Sequence, residues 1–163
     1  MAEEWIDKLA GDIREKHREA AQVYGRDQHY AEVISRLAPE FFVRLSAQLE
    51  RDVEAFRRKL QGDVTSAETL VQTSTAGEVR IQRERFPWVD ATVTLRDDSI
   101  LVDYAKSAGL AGDPLLARKS RAYALHAGGD DRLYAKEAFT ERPEQFDTPE
   151  ALAQGILQLL FGG

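Results

Sequence analysis

Asp90 and Asp103 have the best claim to chemistry in this chain. A β-hairpin turning at Asp97-Asp98 sets both carboxylates on one sheet face, beside Thr92. Paired carboxylates share a proton or bind a hard cation, whereas on a solvated face the same pair is ordinary exposed charge. His126 is the other candidate. It falls in a strand-like stretch before Gly128-Gly129, and an imidazole titrates near neutrality, which suits a general base. No nucleophile or orienting carboxylate stands beside it in a recognisable motif. Asp90, Asp103 and His126 make up a candidate ligand site, and no catalytic residue, metal site or cofactor is assigned.

The remaining polar signals read as structure. His17 sits on the apolar stripe of a first helix. His29 and Glu32 share a helix face, but two ligands do not make a metal site, and no Glu-x-x-His or His-Glu-x-x-His pattern accompanies them. Gly109-x-x-Gly112 and Gly128-Gly129 match neither a P-loop nor a dinucleotide fingerprint. Arg57-Arg58-Lys59 closes a long helix, where cations offset the dipole. Arg118, Lys119, Arg121 and Tyr123, with Arg80, Arg83 and Arg85, suggest a basic sheet face of the kind that binds RNA. The adjacent aromatics of such faces are missing, and the net charge of −6 repels nucleic acid, so no nucleic-acid partner is expected. Gly162-Gly163 follows a helix and reads as its terminator rather than as the tail of a ubiquitin-like modifier.

The chain has 163 residues, 43% hydrophobic and 31% charged, which suits one soluble domain with a core of its own. It lacks cysteine. That excludes disulfides, thiolate zinc sites and a cysteine nucleophile, and fits a cytoplasmic location. Met1 to Trp5 are acidic and lack the basic, then apolar, pattern of a signal peptide. No apolar run approaches the length of a membrane span, so no membrane partner is expected.

The elements that position these residues are helical first. Trp5, Ile6, Leu9, Ile13, His17 and Ala20 form one stripe. Gly25 stands where a helix C′ glycine belongs, and Asp27 can cap a following helix. The expectation is a helical hairpin over 1–61. Its second arm carries a longer stripe: Tyr30, Ile34, Leu37, Phe41, Leu45, Leu49, Val53, Phe56 and Leu60. Pro39 interrupts this arm, but the step from Leu37 to Phe41 keeps the phase, which favours a kink over a break.

Strands follow over 64–138. The clearest pair places Leu95 opposite Ile100, Val93 opposite Val102, and Ala91 opposite Tyr104, so register and burial agree. Earlier strands are expected near Leu70–Thr73 and Glu78–Arg85, and a second hairpin across Gly128–Asp131. Asp113-Pro114 starts a short helix near 114–118. Thr148-Pro149-Glu150 caps a last helix over 148–161. Grouped strands imply α+β: a long N-terminal helical hairpin and a C-terminal helix packed on an antiparallel meander of about five strands. The layout resembles dimeric secretion chaperones at the level of fold alone.

A helix from Asp27 to Gln61 spans roughly 50 Å, more than the ~40 Å breadth of a compact fold of this length. Coverage is expected to run out at the distal end, leaving Val53, Phe56 and Leu60, with Phe42 beside the stripe, as an interface. The functional expectation is a non-enzymatic interaction module, adaptor or chaperone-like, acting as a homodimer or with another protein partner. The alternative is a small-ligand binder or hydrolase with a pocket between sheet and helices.

Overall fold

The computed structural model describes residues 3–62, 67–107 and 118–162. Helix α1 runs from Glu4 to Gln61, 58 residues without interruption, or about 87 Å. The expected helical hairpin is therefore a single helix. A C′ glycine ends a helix by entering the left-handed region, but Gly25 stays helical and has nothing within 4 Å of its would-be side chain. A helix-interior glycine costs about 1 kcal/mol without forcing a turn. The helix also continues through Pro39. Pro39 and Ser35 both lie on the exposed side, so the helical bond that proline forgoes is lost away from the core.

Among the described residues seven strands follow: β1 (Val71–Thr75), β2 (Glu78–Arg83), β3 (Val89–Arg96), β4 (Ser99–Lys106), β5 (Lys119–Ala127), β6 (Leu133–Glu137) and β7 (Gln145–Phe146). They form one antiparallel meander in chain order. The count is seven where about five were expected. β1 is polar and has no apolar alternation to announce it, while β7 is two residues long. The β3–β4 register is the one read from the pattern: Leu95↔Ile100, Val93↔Val102, Ala91↔Tyr104, with Thr92↔Asp103 on the other face. Asp97 takes a φ of 53° to make the two-residue turn, a conformation aspartate tolerates better than most residues. The short helix expected near 114–118 lies outside the described residues, save Arg118 just before β5.

Helix α2 (Pro149–Phe161) starts as its sequence indicates: the Thr148 Oγ1 accepts from the Ala151 N–H at 3.1 Å. It packs along α1, and both helices cover the same sheet face. Leu45 and Leu49 of α1, Leu152 and Ile156 of α2, and Ile81, Val93, Val102 and Tyr123 of the sheet meet in one core. Gly155 permits this approach, since a Cβ there would stand 2.5 Å from the Phe146 ring. Among the described residues no helix lies over the opposite sheet face, which carries Asp90, Thr92, Asp103 and His126.

Candidate interaction surface

The strands bring Asp90 and Asp103 to neighbouring positions on the open face, where Arg118 already occupies the space between them. Its Nη1 donates to Asp90 Oδ2 and its Nε to Asp103 Oδ1, each at 3.1 Å. Arg80 adds an ion pair to Asp90 at 3.7 Å. The hydrogen bond to Asp90, with that to Asp103, raises the Arg118 pKa above its ordinary value. A cation binding here has to displace a guanidinium held by two carboxylates. Among the described residues no group of three or more His, Cys, Asp or Glu is arranged to hold a metal ion.

His126 is not brought to this pair. It lies six residues along β5 from Ser120, the cross-strand partner of Asp103, a distance of about 20 Å. Its ring stacks on Tyr134, its own partner across β5–β6, with centroids 5.3 Å apart. The basic residues also separate. Arg83 and Arg85 turn to the buried Glu68, while Arg80 and Arg118 share Asp90. His29 meets Asp131 at 3.3 Å in the β5–β6 turn.

The apolar stripe of α1 divides differently from its sequence expectation. Phe42 and Val53 lie in the chain's own core, 4% and 3% exposed. Phe56 meets Phe161 of α2 edge-on, at 5.1 Å between centroids, and Leu60 packs half-buried against the core. The reason is α2, which returns along this end of α1 and covers it. The uncovered length lies at the other end. From Glu3 to His29 every residue but Ala10 is exposed, a helical arm of about 40 Å. It carries Trp5 (62% exposed), Ile6 (49%), Leu9, Ile13, Val23 and Tyr24 (65%) on a chain whose core begins at Val33.

A sequence signal for the arm existed in the step length. From Ile6 to Val23 the positions Ile6, Leu9, Ile13, Lys16, Ala20 and Val23, apolar except for Lys16, which replaces His17 of the first stripe, advance in alternating threes and fours, an average near the 3.5 of helix-on-helix seams. From Ala38 to Leu60 the core positions advance by nearly 3.7, the ordinary period of a helix lying on a sheet or a neighbouring element. A groove of about 800 Å³ lies between α1 and α2, with Phe56, Ala151, Leu157 and Phe161 among its walls.

No family model, curated protein or solved structure matches this chain. Among the described residues, no helix is long and apolar enough to cross a membrane.

Proposed function

We propose that this chain is a non-enzymatic protein-interaction module, in which the sheet and α2 anchor the helical arm of residues 4–29 and the arm engages another protein. The observation that carries this reading is the bare stripe from Trp5 to Tyr24. Helices in proteins owe most of their stability to an apolar face packed on something, and a contiguous exposed apolar patch rimmed by charge is the usual mark of a docking surface. The interface therefore belongs at the N-terminal end of α1 rather than around Phe42, Val53, Phe56 and Leu60. A cysteine-free chain suits work in a reducing cytoplasm.

The test is a photoreactive residue placed at Leu9 in the intact chain, inside cells. A discrete cross-linked product that disappears with Ile13→Asp supports the reading. No product, or one indifferent to Ile13→Asp, rejects it.

A second reading, a binder of a small apolar ligand, draws on the Phe56–Phe161 groove between the helices. A ligand held there at a hundred times its dissociation constant adds about 2.7 kcal/mol to stability. Thermal melting against fatty acyl compounds reads that directly, and a flat response counts against it.

A further inference from the structure

Resting on the reading of residues 4–29 as an interaction arm, we propose that its partner is the same arm of a second copy of this chain, paired antiparallel. The spacing names the kind of partner. With Ile6 at heptad position a, the a and d positions hold Ile6, Leu9, Ile13, Ala20, Val23 and Tyr30. The b, c and f positions of residues 4–29 hold no apolar residue larger than alanine, and both glycines, Gly11 and Gly25, fall at f. That is a two-helix seam with one wet back. A sheet or a broad groove asks for a wider apolar face.

Charge then selects a second copy and its direction. The two polar residues in the seam are Lys16 and Asp27. A parallel pair of identical arms sets Lys16 against Lys16 and Asp27 against Asp27, like charges meeting where water is excluded. Antiparallel pairing, with Ile13 opposite Val23 of the second copy, removes both clashes. It places Ile6 opposite Tyr30, Lys16 opposite Ala20, and Leu9 opposite Asp27, so Asp27 meets an apolar side chain rather than a like charge. On the flank it sets Asp12 opposite Arg26, and the two Glu19 carboxylates meet beside the two Lys16 ammonium groups. The halves are complementary as well. Residues 4–15 carry Glu4, Asp7, Asp12 and Glu15 against Lys8 and Arg14, net −2. Residues 16–28 carry Lys16, Arg18 and Arg26 against Glu19 and Asp27, net +1.

Size agrees. Covering the exposed parts of Trp5, Ile6, Leu9, Ile13, Val23 and Tyr24 on both copies removes roughly 1,200 Å² from water, the lower bound of stable specific interfaces. The product is a dumbbell with the two folded bodies at opposite ends of a paired rod.

Because the chain has no cysteine, single-cysteine variants report the pairing cleanly. Light scattering should give about 37 kDa, twice the 18.3 kDa chain. Ile13→Asp should give the monomer mass with the melting of the body unchanged. Mixing Ile13→Cys with Val23→Cys under mild oxidation should give the mixed disulfide in excess over either like pair. Arg26→Asp should weaken the dimer several-fold, and adding Asp12→Arg should restore it.

A dimer that survives Ile13→Asp, or like-with-like disulfides at Ile13→Cys, overturns the antiparallel arm pair. So does a monomer at the highest attainable concentration. In that last case the Leu9 photo-probe separates the two failures. Capture of a protein of different mass removes only self-pairing, whereas no capture removes the interaction reading as well.

Discussion

Glu68 lies in the fork of Arg83: the Arg83 Nε donates to Glu68 Oε1 at 2.7 Å and its Nη2 to Oε2 at 3.2 Å. The Glu68 side chain is fully buried, so the pair ties the segment after α1 to the end of β2. Arg85 Nη2 adds a contact to Oε2 at 3.2 Å, and the Thr69 and Leu70 N–H groups donate to Oε1. Arg83 Nη1 in turn donates to the Pro87 carbonyl. The Arg83 hydrogen bond, opposed by burial, holds the Glu68 pKa down at about 2, from 4.5.

That depression makes stability depend on acid. The folded state holds Glu68 ionised more tightly than the unfolded chain does, so its contribution is fully present above pH 4.5. It is lost as pH falls from 4.5 through about 2. The shift corresponds to about 3 kcal/mol. Urea unfolding of the wild type and Glu68→Gln should differ most near neutrality and converge towards pH 2. A difference independent of pH rejects the assignment.

Removing one partner is a different matter from removing both. Arg83→Ala leaves a buried carboxylate short of its main donor and should cost about 3–5 kcal/mol, whereas Glu68→Leu with Arg83→Met should cost much less than the two single changes summed. Denaturant midpoints of Arg83→Ala, of the two single changes and of their combination decide it.

Two glycines in helices should respond oppositely to alanine. At Gly155 the new methyl would stand 2.5 Å from a Phe146 ring already packed on Tyr123, and overpacking of this kind costs about 1–3 kcal/mol. At Gly25 nothing lies within 4 Å, so alanine should strengthen the arm helix by up to about 1 kcal/mol. Thermal melting reads the first, and far-ultraviolet circular dichroism of the arm's melting reads the second.

Deleting residues 1–28 should leave the melting of the body unchanged, because the buried core of α1 begins at Val33. A large fall in the midpoint shows that the arm contributes to folding within one chain. The loss of Thr148 should be felt: Thr148→Ala frees the Ala151 N–H and should cost about 1 kcal/mol, with Thr148→Ser close to the wild type.

Some of this was legible without coordinates. The Leu95↔Ile100 pairing and the Thr148 cap depend on neighbours a few residues away, where period-two alternation and an N-cap oxygen act locally. The lone-standing chemistry of Asp90 and Asp103 was half legible. Their shared face follows from strand alternation, but Arg118 arrives from β5, and no local pattern announces which cation will take the space.

The helix stripe, the hairpin register and the last helix follow from local patterns, because hydrophobic period and capping act between near neighbours. Which end of the stripe is covered depends on elements that come back from far along the chain. Phe56 is as apolar as Leu9 and Ile13, yet α2, almost ninety residues further on, meets Phe56 through Phe161, while Leu9 and Ile13 stay bare. Likewise Gly25 reads as a stop in isolation and continues the helix in the fold, since none of the described residues packs back across residues 4–24 to reward a turn. Burial is a property of what returns in space, and spacing along one helix does not contain it.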